Sequence, residues 1–105
     1  MASTKDYLNF VLEQLFELKD LSFRRMMGEY VIYYQGKVIG GIYDDRLLLK
    51  STRSALQLLS DSGIQLDKAI PYEGAREMLA ADIDDSELTC RLIRTIAKDL
   101  PDPKK

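Results

Sequence analysis

The side chains of this sequence that could do chemistry are mostly carboxylates. Asp44 and Asp45 are adjacent, and Asp82, Asp84 and Asp85 form a second group. Grouped carboxylates can act in acid–base catalysis or hold a divalent cation. Both groups also stand where a turn or a helix cap favours aspartate. We therefore expect structural roles for both groups and no catalytic site.

Histidine is absent from the 105 residues, which removes the commonest general base and every histidine-containing metal site. The single cysteine, Cys90, has no histidine to activate it, so we expect an inert thiol at the boundary of the core. The chain shows no nucleophile elbow, phosphate loop or dinucleotide-binding glycine pattern. The sequence therefore predicts a non-enzymatic protein with no metal and no cofactor.

Two groups of cations are candidates for binding. Arg24 and Arg25 are adjacent, and each guanidinium offers a planar fork of donors to a carboxylate or a phosphate. Alternatively, one of them is solvated and the other pairs with a nearby acid. Arg91, Arg94 and Lys98 share one side of a predicted helix and could follow a nucleic-acid backbone, but a solvated helix face is the commoner explanation.

Composition sets the class of protein. Hydrophobic residues make up 46% of the chain and charged residues 30%, which is typical of one globular domain. We expect a single domain over residues 1–105, with residues 101–105 as a flexible tail. The formal net charge of −2 creates no overall field that attracts nucleic acid or anionic lipid. A lone cysteine and the lack of a long apolar run predict a cytoplasmic protein without a membrane segment.

Three helices are predicted. The first covers Ser3 to Asp20, where leucine and valine recur at helical spacing and aromatic residues widen the apolar arc. The second follows an N-cap at Ser51-Thr52 and stops at Gly63. The third runs from Asp84 to Lys98, because Asp84 and Glu87 stand at capping-box spacing and prolines follow.

The strands are predicted between these helices. Their β-branched and aromatic residues alternate with turn residues such as Gln35-Gly36, and Gly40-Gly41 inside one strand predicts a bulge or a close approach by a helix or a ligand. The candidates are a short strand or extended lead-in at Phe23–Met27, the meander of Tyr30–Tyr34, Lys37–Tyr43 and Arg46–Lys50, and a further pair, Lys68–Tyr72 and Arg76–Asp82. Pro71 has no backbone N–H and confines the first of that pair to an edge.

Short motifs distributed along the chain carry a resemblance to a known family. They are Arg25-Met26-Met27-Gly28, Tyr30, Tyr33, Gly36-Lys37, Asp44-Asp45-Arg46-Leu47, Leu49-Lys50, Pro71-Tyr72, Gly74-Ala75, Met78 and Leu100-Pro101. In order and spacing they are similar to the N-terminal domain of the TfoX/Sxy proteins, regulators of natural competence in bacteria. The chain departs from the family pattern at Met27, Glu29 and Leu48, positions that affect packing more than membership.

The resemblance implies both a fold and a role. The fold is a two-layer α+β domain of order α-β-β-β-α-β-β-α, with helices on an antiparallel sheet of about five strands. The role is that of a transcriptional coactivator, which helps the cyclic-AMP receptor protein at competence-gene promoters. Full-length members carry a second, C-terminal domain, so this chain is expected to be a stand-alone N-terminal domain.

We therefore expect an interaction or regulatory module that binds another protein, such as a transcription regulator. The residues chosen as contacts, because exposed arginine and tyrosine favour interfaces, are Arg24, Arg25, Tyr30, Tyr43, Asp44 and Asp45. One alternative is a nucleic-acid-binding protein that uses Arg91, Arg94 and Lys98; another is a small-ligand-binding domain. A homodimer through the Lys68–Tyr72 edge or the aromatic arc of the first helix also stays open.

Overall fold

A sheet meander and three flanking helices make up residues 3–101, the part of the chain that the computed structural model describes. Along the chain the elements are α1 (Lys5–Gln14), β1 (Leu21–Met26), β2 (Glu29–Tyr34), β3 (Lys37–Ile42), β4 (Leu47–Lys50), α2 (Arg53–Asp61), β5 (Lys68–Ala69), β6 (Met78–Ala80) and α3 (Ser86–Asp99). No helix within this part is both long enough and apolar enough to cross a bilayer.

The strands form one antiparallel sheet in the order β1-β2-β3-β4-β6-β5. This confirms the predicted α+β fold, with six strands rather than about five. The difference arises at β1, which was predicted as either a short strand or an extended lead-in and is a strand. It pairs with β2 over its whole length, from Leu21 opposite Tyr34 to Met26 opposite Glu29. β1 and β5 are the two edges of the sheet.

The core lies between one face of the sheet and the three helices. Strand residues alternate between faces, so every second side chain of β2, β3 and β4 enters this layer. The fully buried side chains include Leu8 of α1, Ile32, Ile42 and Leu49 of the strands, and Leu92 of α3. The sheet therefore has a second face, turned away from the helices, which we call the open face.

The hairpin turns follow directly from local chemistry. Gln35 and Gly36 have φ values of 53° and 78°, and Met27 and Gly28 have 52° and 83°. Two successive residues with positive φ form a type I′ turn, whose twist matches that of the two strands in a two-residue hairpin. The predicted turn at Gln35-Gly36 is confirmed, and Met27-Gly28 forms a second one that joins β1 to β2.

The glycine pair in β3 marks a close approach, as predicted. A Cβ at Gly40 would collide with the carbonyl oxygen of Leu48 on β4, and the pairing of β2 with β3 shifts register nearby. A Cβ at Gly41 would lie 2.5 Å from the Tyr30 carbonyl oxygen and 2.8 Å from the Tyr43 ring. Neighbouring backbone and a tyrosine ring, rather than a helix or a ligand, therefore require glycine here.

Two helix boundaries differ from the prediction. α1 ends at Gln14 rather than Asp20, because Leu18 N–H donates to the Leu15 carbonyl in a tight turn (2.9 Å). α3 is capped by Asp85 rather than Asp84: the Asp85 carboxylate accepts from Leu88 N–H at 3.1 Å. The Asp84 N–H is bonded instead to the Asp82 carboxylate at 3.1 Å, in the turn before the helix.

The second pair of strands is shorter than predicted. β5 ends at Ala69 and β6 begins at Met78, so residues 70–77 form a loop, here called the 70–77 loop. Pro71 lies just beyond β5 and has no N–H to extend a ladder. The predicted flexible tail begins at Pro101, and residues 102–105 lie outside the described residues.

Side chains join the ends of the helices to neighbouring elements. Lys37 Nζ donates to the Ala97 carbonyl oxygen near the end of α3 (2.9 Å). The Asp99 carboxylate accepts from Ser54 N–H (2.9 Å) and Ser54 Oγ–H (2.7 Å) at the start of α2. These bonds lower the pKa of Asp99. They fix α2 and α3 against each other and against the sheet.

Candidate functional site

The carboxylates at and near the β3–β4 turn accept hydrogen bonds that attach the start of α1 to the sheet. Asp44 and Asp45 have φ values of 53° and 55°, a conformation that aspartate tolerates in turns. The Asp45 carboxylate accepts from Thr4 N–H at 2.8 Å, at the start of α1. Glu29 accepts from Ser3 N–H at 2.7 Å and from Asp44 N–H at 2.9 Å. This network anchors the beginning of the chain on the sheet, which is the structural role expected for Asp44 and Asp45.

The second carboxylate group is also used locally, since Asp82 and Asp85 form the turn and the cap at the start of α3. Within residues 3–101, no group of three or more His, Cys, Asp or Glu side chains is arranged to hold a metal ion. Cys90 is fully buried rather than at the boundary of the core. Burial, with Glu17 accepting from the thiol, raises its pKa to about 12, so the nucleophilic thiolate is suppressed.

Two neighbouring hollows lie on the open face of the sheet. They share a wall built from the Tyr43 and Tyr72 rings, whose centroids are 6.4 Å apart at an interplanar angle of 55°. Tyr43 is placed by Gly41, which leaves room for its ring against β3. Tyr72 belongs to the 70–77 loop and, with Pro71, lines both hollows.

The first hollow, here called the apolar groove, has a volume of about 730 Å³ and lies over β1, β2 and β3. Its floor is formed by Met26, Val31 and Val38, and Met27 stands at its rim with 97% of its surface exposed. Flexible methionine side chains adapt to varied apolar partners. An exposed concave apolar surface of this kind is typical of an interaction site.

The second hollow, here called the cationic cleft, has a volume of about 510 Å³ and lies over β3, β4 and β6. It is lined by two cations, Lys50 from β4 and Arg76 from the 70–77 loop. Within residues 3–101 neither has a carboxylate at ion-pair distance. Glu77 also lines the cleft, but its carboxylate lies 4.0 Å from Lys68 Nζ. Burial lowers the pKa of Lys50, because the half-buried ammonium has lost part of its hydration.

The residues chosen from the sequence as partner contacts lie in different places. Arg24 and Arg25 are exposed on β1 and, as neighbours in a strand, point to opposite faces. Tyr43 is half-buried in the wall between the hollows, and its pKa is raised by burial and by the adjacent Tyr72 and Glu29. Tyr30 is only 5% exposed, and its ring packs edge-to-face on the partly exposed Phe23, so the prediction that Tyr30 is exposed is wrong.

The cations of α3 do not form a separate stripe. Arg91, Arg94 and Lys98 are exposed, but the Arg94 guanidinium lies 3.8 Å from the Glu17 carboxylate beyond the end of α1. Glu17 also accepts from the Cys90 thiol. An acidic neighbour weakens the field that a nucleic-acid backbone would meet, so this face gives the nucleic-acid alternative little support.

The cationic cleft was not predicted from the sequence. Lys50, Pro71, Tyr72 and Met78 all line it, and all belong to the motifs that carry the family resemblance. In the sequence these residues indicate a fold, but they do not indicate a binding site. The signal that could have found the cleft is the placement of Lys50 and Met78 opposite each other on β4 and β6, which requires the strand order.

Comparison with known proteins gives the relationships of this chain. The family model described as the TfoX N-terminal domain matches residues 13–95, which is nearly the whole chain. An uncharacterized 12.7 kDa protein in the trpE 5′ region of Spirochaeta aurantia is 33% identical over 106 residues. That alignment covers 99% of this chain and 89% of the relative.

Proposed function

We propose that this chain, which belongs to the TfoX N-terminal domain family, is a regulatory module that binds an acidic, extended segment of another protein along β1. Membership of a family of regulatory domains supports a role in competence-related regulation without catalysis. The resemblance in the motifs implies a transcription regulator as the partner. The observation that carries the choice of surface is the exposed edge of β1.

The edge offers a template for strand addition. β1 has six residues and is paired on one side only, with β2, so its outward N–H and C=O groups face the surrounding water. An extended peptide can add to such an edge, with main-chain hydrogen bonds supplying affinity and side chains supplying specificity. Phe23, Met26 and Met27 are exposed beside it and offer apolar contacts.

Charge selects the kind of segment. Arg24 and Arg25 have no carboxylate at ion-pair distance within residues 3–101. In the antiparallel register centred between Arg24 and Arg25, two copies of β1 would bring arginines opposite arginines, which is unfavourable. A segment with carboxylates would instead pair with both guanidinium groups. The edge therefore favours an acidic partner over self-association.

The apolar groove extends the same surface. Arg24 is paired in register with Val31, and Val31 lines the groove together with Met26. Successive side chains of a bound strand point to opposite faces, so every second one would reach over the open face toward the groove. Because Arg24 and Arg25 point to opposite faces, the segment that fits best carries a carboxylate on each face and apolar residues over the groove.

The test is affinity capture from nuclease-treated lysate of the source organism, followed by quantitative mass spectrometry. Wild-type chain is compared with Arg24→Glu/Arg25→Glu, and with Arg53→Glu/Arg91→Glu as a control that makes the same charge change at exposed sites elsewhere. We expect the β1 variant to capture at least about tenfold less of the partner than the wild type, because two charge-assisted pairs become repulsive. The control variant should capture as much as the wild type.

Hydrogen exchange then locates the contact. The captured partner, once purified, should slow amide exchange over residues 21–26, because added strand pairing protects the outward N–H groups. Capture that is equal for wild type and the β1 variant would overturn the proposal. Protection confined to α3, with β1 unchanged, would do the same.

A further inference from the structure

We propose that the cationic cleft is a binding site for a small organic anion, whose carboxylate or phosphate is held by Lys50 and Arg76 and whose apolar part lies against Tyr43 and Tyr72. This site lies over β3, β4 and β6 rather than at the β1 edge, and it takes a small molecule rather than an extended segment. The proposal therefore stands or falls separately from the function proposed above.

The charge of the cleft is not balanced by the chain. Lys50 is half-buried and Arg76 is exposed at the rim, and neither has a carboxylate partner within residues 3–101. A cation that has lost hydration without gaining an acid is destabilised, and the depressed pKa of Lys50 reports this. An anion placed beside the ammonium would restore the missing interaction.

The only acid lining the cleft in the described part of the chain is already engaged. The Glu77 carboxylate lies 4.0 Å from Lys68 Nζ, and the Glu77 carbonyl oxygen accepts from Ser51 Oγ–H at 3.0 Å. The two contacts attach the 70–77 loop to Ser51, directly after β4, and to Lys68 of β5. They leave the positive charges of Lys50 and Arg76 in excess over the acidic charge, in a protein whose formal net charge is −2.

The rest of the lining is apolar and aromatic. Val38, Met78 and Leu100 contribute aliphatic surface, and the wall between the hollows contributes the Tyr43 and Tyr72 rings. The Tyr43 hydroxyl can donate to an anion, because a phenol is protonated at neutral pH and burial raises its pKa further. A bare inorganic ion would leave this apolar surface uncovered.

The volume of the cleft suits a small molecule. A volume of about 510 Å³ lies in the range of sites that hold compounds of metabolite or drug size. The chemistry common to such ligands is one anionic group at one end and an aromatic or aliphatic body at the other. A free carboxylate and a free phosphate ester both meet this description.

The test is an NMR titration of the ¹⁵N-labelled chain with benzoate and with phenyl phosphate. Benzyl alcohol and inorganic phosphate serve as probes that keep only the apolar or only the anionic half. We expect saturable shifts at residues 50 and 72–78 with one or both aromatic anions, and affinity at least about tenfold weaker for the two half-probes. Comparing benzoate with phenyl phosphate decides between a carboxylate and a phosphate ligand.

Variants assign the binding to the two cations. Lys50→Gln and Arg76→Gln should each weaken the aromatic anion about tenfold or more, whereas Arg91→Gln, an exposed cation of α3, should leave it unchanged. Arg76 is exposed, so its variant tests the proposal even if Lys50→Gln disturbs folding. Equal binding of benzyl alcohol, full binding by both cation variants, or no shift with either aromatic anion would overturn the proposal.

Discussion

Gly40 shows how one missing side chain permits the close pairing of β3 with β4. An added Cβ would meet the Leu48 carbonyl oxygen and, at 2.9 Å, the Leu49 Cα, and both are backbone atoms that cannot move without breaking the β3–β4 pairing. We expect Gly40→Ala to lower the free energy of unfolding by about 2–3 kcal/mol or more.

The control for that change is Gly74→Ala. Gly74 has a φ of 86° but nothing within 4 Å of an added Cβ, so only backbone strain opposes alanine there, at about 1 kcal/mol. Urea unfolding of both variants measures the difference. A Gly40→Ala chain as stable as Gly74→Ala would show that the strands can separate at this point.

Burial of Cys90 makes the stability of the folded chain depend on pH in the alkaline range. Its pKa rises from 9.0 to about 12 on folding, so the folded chain keeps a proton that the unfolded chain releases. The stabilising effect is complete below pH 9.0 and is lost as the pH rises toward about 12. The raised pKa values of Tyr7 and Tyr43 act in the same direction, and the lowered pKa of Lys50 acts in the opposite one.

The measurement is the free energy of unfolding of wild type and Cys90→Ala between pH 8 and pH 11. We expect a smaller loss with rising pH in the variant, whatever its absolute stability, because the thiol no longer contributes to the slope. Slow reaction of the native thiol with an alkylating reagent should accompany this. Identical pH slopes would show that the thiol ionises as readily in the folded chain as in the unfolded one.

At the level of the elements, the neighbouring residues Asp84 and Asp85 have different roles at the start of α3. Asp85 caps the helix, and Asp84 directs only its backbone N–H into the preceding turn. We expect Asp85→Ala to lower the free energy of unfolding by about 1 kcal/mol and Asp84→Ala to change it by less than about 0.5 kcal/mol. Thermal unfolding measures both, and the reverse order would place the cap where the sequence pattern put it.

The same elements show what local sequence can and cannot specify. Hairpin strands were predictable because alternation and turn residues such as Gln35-Gly36 act within a few positions. The end of α1 was not, because Leu18 keeps the apolar spacing and is buried, although the chain has already left the helix. Apolar spacing reports burial, and a turn can satisfy it as well as a helix can.

At the scale of the whole molecule, the candidate sites depend on strand order. Lys50 and the 70–77 loop are brought together because β6 pairs with β4, with Lys50 opposite Met78. Nothing near either residue in the chain predicts this pairing, so the family pattern led to the fold but not to the cleft. The open face thus gathers Arg24, Lys50 and Arg76 on a protein of net negative charge.

Tyr72 lies in the wall between the two hollows and lines both of them. Its ring is 63% exposed, lines both the apolar groove and the cationic cleft, and contacts Tyr43. We expect Tyr72→Ala to weaken aromatic-anion binding by roughly threefold to tenfold, because an aromatic contact contributes about 0.5–1.5 kcal/mol. The free energy of unfolding should change by less than about 1 kcal/mol, since the ring is mostly outside the core.

The matched control is Phe16→Ala, which removes a ring that is 84% exposed and lines neither hollow. It should leave anion binding and partner capture unchanged, whereas Tyr72→Ala should also reduce capture of a partner whose side chains enter the groove. Titration and capture on the same two variants therefore distinguish the sites. Reduced anion binding with normal capture would confine the partner to the β1 edge, and normal values for both would remove Tyr72 from either site.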